Sequence, residues 1–351
     1  MAHVATITID HTKVPGDLTD YVGLIVPDAS AGYSALYALC LEGGGDIRLF
    51  KSDDTTELAR EIVTFSASAE TGEIHYKYAG TLSSSVDTDI HVYADGSSSD
   101  YAVGATYGRN AVWSDYGAVY HLKTGTDSTG NGNDLTATGV TFGGGTGVIG
   151  ASSDFDGSND VAFNSSTTEL DGENTYTIQF WAEPDASARK GVFGKTDGTS
   201  AATSAWTAEQ RADNKLRFKG YAGSSQSISE DSDANFFAAN TYVMGHVVVD
   251  ATSLIFYKNG ASHGSHTVAD TTTNSLTGDL AVGAFGYNSP AILPFNGNID
   301  ETRYRSSALT ANHIAAEYNN QNSYSTFYSV AAVGGGSTSA QAARRGAVMM
   351  M

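Results

Sequence analysis

The sequence is poor in cysteine, proline and positive charge. A single cysteine, Cys40, excludes an internal disulfide, and its place in the apolar run YALCLE predicts a small buried hydrophobe. Nineteen lysines and arginines face 39 aspartates and glutamates, which gives a formal net charge of -20 at pH 7. Because such a chain is repelled by phosphates and by anionic surfaces, nucleic acid is not expected as a partner.

Long hydrophobic runs are also missing. No stretch of about 18 apolar residues occurs, so no spanning helix and no insertion into a membrane are expected. Residues 1–17 lack the basic segment followed by an apolar stretch that marks a secretory signal. We therefore expect synthesis in a cytoplasm, with release by lysis or by an unusual exporter.

What the chain does contain is typical of short strands and tight turns. Glycine is abundant at 39 residues while proline numbers 5, and Thr, Ser, Tyr and Val are frequent. In residues 73–78, EIHYKY, isoleucine and tyrosine alternate with charged or polar residues, which predicts a strand with one face in solvent. The composition predicts an all-β protein.

The spacing of the predicted strands changes near Val112, and the length of 351 residues suits two domains. We predict two β-sandwiches of the jelly-roll type in tandem, with a hairpin at Asn259-Gly260 and a short C-terminal helix in LTANHIAAEYNN capped by Thr310. The helix would plug an edge or end of the second sandwich. The predicted domains are 1–108, 109–330 and a flexible Gly/Ser/Ala tail at 331–351, which is either disordered or a docking peptide.

The loop DSTGNGNDLT, residues 127–136, combines glycines with oxygen-bearing side chains. Gly and Asn tolerate positive φ, and Asp and Asn bond their own backbone, so a turn explains the composition. Oxygen ligands around a calcium ion explain it equally well. The loop alone does not decide between them.

Several motifs of the second segment occur in the order found in one known family. Together they make residues 112–328 resemble the laminin-G-like, concanavalin A-like lectin/glucanase superfamily in its bacterial and phage form. One departure is Met244-Gly245-His246, where Trp-His-His is usual. The motifs are DSTGNGNDL (127–135), IGASSDFDGSNDVAF (149–163), YTIQFWAEPD (176–185), LIFYKNG (254–260) and FNGNIDETRYRSSALTANHIAAEYNNQ (295–321).

The first segment resembles a domain of unknown function that often precedes such lectin modules. This resemblance is carried by GGDIRLFKSDDTTELAREIVTF at 44–65 and GEIHYKYAGTLSSSVDTDIHVYADG at 72–96. Nothing in the segment predicts chemistry.

The resemblance of the second segment implies a structural Ca²⁺, held by the Asp/Asn-rich loop and an acidic residue near the last strand. Calcium accepts six to eight hard oxygen ligands, whereas zinc and copper need clustered His or Cys. The alternative is that Asn and Gly simply build the turn. The matching positions are Asp127, Asn131 and Asn133 in the loop, Asp300 or Glu301 in GNIDET, and Asp156 in FDG.

The segment ELDGE has the Glu-x-Asp-x-Glu spacing of retaining β-glucanases of the same superfamily, in which alternate residues of one strand point into a cleft. Catalysis would then fall to Glu169, Asp171 and Glu173. However, Gly172 before ENTYTIQFW indicates a turn. No GxSxG, P-loop, HExxH or CxxC pattern occurs either, so we expect an exposed acidic turn and no enzyme.

Sugar binding is the expected activity, because aromatic rings on the loops of a sandwich stack against sugar rings. Trp181 lies within a strand, where a core position is expected instead, and the same core position is the alternative for each aromatic candidate. The candidates are Trp206, Tyr221, Phe285 and Tyr287, with Asn288 nearby.

The sequence leaves three functions open. The favoured one is a non-enzymatic virion surface protein, a phage tail or head fibre or decoration component, whose lectin-like domain adheres to a cell-surface glycan or polysaccharide. Its location would be the virion, its partners other virion proteins, and a homotrimer would suit a fibre. The alternatives are a bacterial extracellular protein that binds or hydrolyses glycans, and a purely structural assembly part.

Overall fold

The computed structural model describes residues 1–167, 171–196, 200–269, 271–276, 280–287 and 291–333. Strands far outnumber helices, which confirms the predicted all-β class. The strands are β1 (Ala2–Ile9), β2 (Leu18–Ile25), β3 (Arg48–Lys51), β4 (Glu57–Ser66), β5 (Thr71–Leu82), β6 (Thr88–Ala94), β7 (Tyr116–Tyr120), β8 (Thr136–Thr138), β9 (Thr141–Thr146), β10 (Ala151–Asp156), β11 (Val161–Asn164), β12 (Thr175–Pro184), β13 (Lys190–Thr196), β14 (Ser204–Gln210), β15 (Leu216–Ala222), β16 (Ser225–Asp231), β17 (Val243–Asp250), β18 (Ser253–Lys258), β19 (Ala261–Thr267), β20 (Leu280–Val282), β21 (Gly286–Tyr287), β22 (Ala291–Ile292), β23 (Asn296–Arg305) and β24 (Tyr328–Ala332).

The helices are short and few. Three of them span a turn or two, and within the described ranges none is long and apolar enough to cross a membrane. They are α1 (Ser34–Leu39), α2 (Arg109–Val112), α3 (Ala311–Asn322) and α4 (Tyr324–Phe327), with single 3₁₀ turns at His11–Lys13, Ala31–Tyr33 and Ala201–Thr203.

The first domain is built on one antiparallel sheet in the order β2-β5-β4-β3-β6-β1-β24. Ile7 of β1 and Ile74 of β5, which are not neighbouring strands in the sheet, share one buried core, so the sheet curls over itself. Strand β24 pairs with β1 from Ile9↔Tyr328 to Ala5↔Ala332. The predicted second domain, 109–330, had placed this segment with the lectin-like sandwich, but its hydrogen bonds belong to the first sheet.

The second domain is a sandwich of two antiparallel sheets, as predicted. One sheet runs β19-β18-β17-β12-β23-β10-β9, with β7 also paired to β23, and the other runs β16-β15-β14-β13-β20-β11-β8. Phe180 and Tyr304 from the first of these sheets and Trp206 and Phe218 from the second meet in a single core. Alternate residues of each strand face this core, which is the arrangement of a jelly roll.

Helix α3 begins at the predicted cap, where the Thr310 hydroxyl accepts a hydrogen bond from the His313 N–H. It contacts both domains. Ile314 packs with Val248 of the second domain, while the Asn320 side chain bonds both the N–H and the C=O of Leu24 in β2. The helix therefore joins the two domains rather than plugging one end of the second.

The two domains share a buried interface. Trp113 is fully buried and packs with Val22 of the first domain and Val119 of the second. The polar face of β5, which the alternation had predicted to be solvated, is covered here: Glu73 is 3% and His75 1% exposed. Several charged side chains are consequently enclosed between the domains.

Candidate functional site

The structure separates the predicted sugar-binding aromatics into two groups. Trp206 is fully buried in the core, with its ring 5.6 Å from that of Tyr304, so it cannot stack against a sugar. Tyr221 and Phe285 are also buried, at 7% and 9% exposed, but they do not belong to the core between the two sheets. The side chain of Tyr287 and the whole of Asn288 lie outside the described residues.

Trp181 was predicted to occupy a core position, and it does. Its side chain is 1% exposed, and its indole N–H donates to the Gln321 Oε1 at 2.7 Å. A buried tryptophan usually finds such a partner for its single donor. Trp181 thereby ties β12 to the C-terminal helix and has no role at the surface.

A groove of about 260 Å³, here called the basic groove, lies beside the cations that contact Phe285. The Lys219 ammonium lies 4.9 Å, and the Arg189 guanidinium 5.6 Å, from the centre of the Phe285 ring. Such cation–π contacts hold the long side chains over the aromatic face. The groove is lined by Arg189, Arg211, Ala212, Arg217 and Lys219.

Acidic side chains position these cations without neutralising them fully. Glu209, which is fully buried, accepts from Arg189 at 2.9 Å and forms an ion pair with Lys219 at 3.2 Å. Asp231 forms ion pairs with Arg217 and Arg211, each at 2.7 Å, and Arg211 also forms an ion pair with Asp213. Four cations thus face three carboxylates, which leaves a local positive charge on a chain whose net charge is -20.

The groove is also partly desolvated. Burial raises the pKa of Tyr221 to about 12, and the charge of Glu209 adds to the rise. The phenol therefore stays protonated at neutral pH. Arg189 remains 47% exposed at its side chain, so its guanidinium has donors directed to solvent. The arrangement can bind an anionic group beside an apolar ring.

The residues named for calcium do not converge on one point. The Asp127 carboxylate accepts hydrogen bonds from the Val119, Thr129 and Asn133 N–H groups and from the Thr129 hydroxyl, at 2.7–3.1 Å. The side-chain amides of Asn131 and Asn133 donate to the Gly117 carbonyl. The loop DSTGNGNDLT is therefore closed by its own hydrogen bonds as a turn.

Two other members of that set accept backbone hydrogen bonds. Asp156 accepts from the N–H of Ser158 at 2.7 Å, and Asp300 accepts from the N–H of Ile149 at 3.1 Å. Across the described ranges, three groups of His, Asp and Glu bring their ligand atoms within 4.8 Å of one another. None of them includes Asp127, Asp156 or Asp300, whereas Glu301 belongs to a group with Glu73, His75 and His121. The residues present do not fit the calcium site that the resemblance implies.

The acidic segment 169–173 was predicted to be an exposed turn, but its central residue Asp171 is buried. Asp171 and Lys195 form an ion pair at 2.7 Å, and neither side chain is exposed. Asp171 also accepts from the Leu276 N–H, while Lys195 donates to the Leu276 carbonyl. Gly172 adopts φ +75°, as the predicted turn requires, and Glu173 is half-buried. Glu169 lies outside the described residues.

One group of side chains was not predicted as a site, although its members Asp300 and Glu301 had been named for calcium. Between the domains lies a group of buried ionic side chains, here called the interdomain cluster. His121 Nδ1 is 2.8 Å from Glu301 Oε1, its Nε2 is 3.2 Å from Glu61 Oε2, and Lys123 Nζ is 3.0 Å from Glu73 Oε2. The cluster comprises Glu61, Glu73, His75, His121, Lys123, Asp300, Glu301 and Arg303.

A β-bulge builds the cluster on the side of the second domain. Between Gln179 and Trp181 the register of β12 against β23 shifts, and Glu301 takes φ +54°, which is unusual for a residue with a side chain. The bulge lets the neighbours Asp300 and Glu301 both contact Lys123. Strict alternation of a regular strand would have separated them.

Burial and charge set the protonation in this cluster. Burial by itself lowers the pKa of His121, but Glu301 and Glu61 outweigh it and raise that pKa to about 10. Burial raises the pKa of Asp300 well above its usual value, against the opposing effect of Lys123. For Glu301 burial acts in the same direction, yet His121 and Lys123 prevail and hold its pKa well below its usual range.

Comparison with known proteins agrees with the architecture. The family described as Laminin_G_3, concanavalin A-like lectin/glucanases superfamily, matches residues 155–315. No curated protein matches the chain. All residues lining the basic groove lie inside the matched segment, whereas Glu61, Glu73, His75, His121 and Lys123 lie before it.

Three solved structures illustrate the likeness. The binding domain of Paraclostridial Mosquitocidal Protein 1 shares 14% identity, with 59% of this chain and 52% of that chain covered and a TM-score of 0.44. Domain 4 of AbnA, a GH43 extracellular arabinanase from Geobacillus stearothermophilus in complex with arabinotriose, shares 20% identity over 57% of this chain and 97% of that one, with a TM-score of 0.40. The botulinum neurotoxin serotype D ligand binding domain in complex with N-acetylneuraminic acid shares 11% identity over 59% and 51%, with a TM-score of 0.45.

The chain covers about half the length of the two toxin domains. The segment that matches the family contains Phe180, Trp206 and Phe218, which belong to the core between the two sheets. Over residues 155–315, this lectin-like fold is therefore similar to the concanavalin A-like lectin/glucanases superfamily.

Proposed function

We propose that the protein is a non-enzymatic glycan-binding protein whose basic groove receives an acidic sugar, one that carries a carboxylate or a sulfate. The observation that carries the proposal is the convergence of four cationic side chains beside Phe285 on a chain with a net charge of -20. An anionic group would bind the guanidinium donors.

Charge also favours this ligand class over a neutral glycan. Desolvating four cations beside a neutral sugar would bring no compensating ion pair, whereas a carboxylate or sulfate offers charge-assisted hydrogen bonds. The acidic remainder of the surface repels polyanions in general, so binding is confined to ligands that reach the groove. Specificity would come from the fit of one anionic substituent of the sugar to Arg211 and Arg217, which both pair with Asp231.

The test is binding of the full chain to an array of acidic and neutral bacterial polysaccharides. The informative variant is Arg211→Gln, because Asp231 keeps its ion pair with Arg217 and the fold is preserved. Loss of one charge-assisted contact should weaken binding of acidic glycans roughly 10-fold. Arg109→Gln is the matched control, since Arg109 lines a separate cleft between the domains.

Binding of neutral glycans alone, or equal weakening by Arg109→Gln, would refute the groove as the site. An effect of Arg109→Gln with none of Arg211→Gln would move the site to the interdomain cleft. No binding to any glycan would favour the third possibility, a purely structural part of an assembly.

We further propose that the protein acts on the surface of a phage virion, as a fibre or decoration component in contact with other virion proteins. The sequence resemblance supports this placement, and the joined pair of domains would suit a surface part. Its test is co-sedimentation of the chain with purified virions. Recovery from a bacterial culture medium without virions would support the alternative, an extracellular bacterial protein that binds or hydrolyses glycans.

A further inference from the structure

We propose that Glu73, His75, His121 and Glu301 form a site for one divalent transition metal ion of the zinc class at the junction of the two domains. One ligand atom from each side chain lies within 4.8 Å of the others, and all four residues are buried. Two ligands come from β5 of the first domain and two from the second. The ion would therefore crosslink the two domains through coordinate bonds.

The spacing of the ligand atoms suits a small four-coordinate ion. In a tetrahedral site with bonds of about 2.0 Å, neighbouring ligand atoms lie roughly 3.3 Å apart. His75 Nε2 is 3.3 Å from Glu73 Oε1, and His121 Nδ1 is 3.7 Å from the same oxygen. His121 Nδ1 is 2.8 Å from Glu301 Oε1. Shifts of about half an ångström bring these atoms to the tetrahedral spacing.

The groups around the ligands are those that metal sites use to orient a histidine. With Nδ1 on the ion, His121 would donate its Nε2–H to Glu61, 3.2 Å away. Glu61 is itself held by the indole N–H of Trp113 and by the Ser128 hydroxyl at 2.7 Å. Ser128 belongs to the loop DSTGNGNDLT, so this loop supports the site from outside without supplying a ligand.

The carboxylate ligands are oriented in the same way. Arg303 donates to Glu301 Oε2 at 2.8 Å, and Lys123 lies 3.0 Å from Glu73 Oε2. In Glu73 the second oxygen is thus held by a cation while Oε1 faces both histidines. Glu301 offers both oxygens to His121 Nδ1, at 2.8 and 2.9 Å, and its Oε1 also lies 3.5 Å from Lys123 Nζ.

The carboxylates of the cluster outnumber its permanent cations. Glu61, Glu73 and Glu301 face Lys123 and Arg303, and either a divalent ion or a proton on His121 would offset the excess of negative charge.

The ligand set selects the class of ion. Two imidazoles with two carboxylates suit zinc and its neighbours among the transition metals, whereas calcium and magnesium prefer oxygen ligands alone. The rival arrangement is an ion-pair network in which a proton on His121 takes the place of the metal. The two arrangements differ in what they bind, so a measurement separates them.

The experiment uses the full chain, stripped of metal with a chelator and titrated with Zn²⁺ and, separately, Co²⁺. We expect one ion per chain, a visible absorption spectrum of tetrahedral Co²⁺, and a melting temperature raised by roughly 5 to 10 °C at saturating Zn²⁺. His75→Gln should weaken binding at least about 100-fold, and Glu61→Gln, which keeps all four ligands, about 10- to 100-fold.

His91→Gln is the matched control, because His91 belongs to a surface group with His3 and Asp54 that offers adventitious binding. It should leave the stoichiometry, the Co²⁺ spectrum and the melting shift unchanged. The proposal is overturned if the folded wild-type chain takes up no stoichiometric Zn²⁺ or Co²⁺, or if His91→Gln abolishes uptake. These outcomes are decisive even if His75→Gln does not fold.

Discussion

Replacing Asp171 with alanine should destabilise the second domain strongly and leave no catalytic phenotype. The substitution removes the carboxylate that faces the fully buried Lys195 ammonium at 2.7 Å. Breaking one side of a buried ion pair typically costs about 3 to 5 kcal/mol, because the remaining charge is left uncompensated. For a domain of this size, that corresponds to a melting temperature lowered by roughly 6 to 20 °C.

The assay is thermal unfolding of the full chain, followed by circular dichroism. Glu173→Ala is the matched control, since Glu173 belongs to the same acidic segment but is only half-buried, and it should change the free energy of unfolding by less than about 0.5 kcal/mol. The double variant Asp171→Leu with Lys195→Met should recover most of the lost stability, because well-packed apolar residues commonly replace a buried pair at little cost.

The reasoning is refuted if Asp171→Ala melts at or above the wild-type temperature. A stabilised variant would be the behaviour of a strained active-site carboxylate and would return the segment ELDGE to consideration as a glucanase motif.

Three further predictions concern single residues. Burial, with help from the charge of Asp46, raises the pKa of Cys40 to about 12, so iodoacetamide at pH 8 should alkylate the native thiol at least about 100-fold more slowly than the urea-unfolded one. Trp206→Ala should cost about 3 to 5 kcal/mol as a core cavity, while Trp206→Phe should fold and bind glycan as the wild type does; weaker glycan binding by this folded variant would restore Trp206 as a ligand residue. Burial acts to raise the pKa of Glu317, but the hydrogen bond from His246 and the charge of Arg303 outweigh it and lower that pKa. The stabilisation that comes from this lowered pKa is present above the unfolded pKa of about 4.3, and it is lost as the pH falls through the folded pKa. Glu317→Gln should therefore reduce the fall in the free energy of unfolding, measured with urea, between pH 7 and pH 3. An unchanged pH dependence would contradict this prediction.

Much of the fold follows from alternation and turn chemistry in the sequence. The hairpin at Asn259-Gly260 has the positive φ values that its residues predict, +50° and +81°, and Thr310 caps its helix as expected. Strand β14, SAWTAEQ, was not predicted, because small alanines make its alternation weak. Trp206 was therefore assigned to a loop, whereas its side chain lies in the core.

What covers a polar face could not be predicted. The pattern of β5 distinguishes two faces correctly, but a strand's own sequence does not reveal whether solvent or another domain lies on the polar one. The pairing of Glu73 and His75 on that face was the available signal for the interdomain cluster. Their ion partners come from segments far along the chain, and only the tertiary fold brings them together.

The basic groove shows the same limit at the surface. Arg217 and Lys219 occupy alternate positions of one strand, which by themselves indicate an ordinary exposed face. Arg189 precedes β13 and Arg211 follows β14, so the sheet order is needed to place all four side chains together. Tyr221 and Phe285 were predicted as ligand residues, but both are buried, and Phe285 contacts only the cations Arg189 and Lys219 of this groove.

The pairing of β24 with β1 has a consequence for the order of events on the ribosome. The sheet of the first domain includes β24, which follows the whole second domain in sequence. The first domain therefore cannot be completed at the time when β1–β6 leave the ribosomal exit tunnel. Until then β1 has a free edge, which is a template for pairing with other chains. The second domain, continuous in sequence, can fold first and deliver α3 and β24 to the waiting sheet. A substitution that slows folding of the second domain should therefore also increase aggregation of the nascent chain through the first.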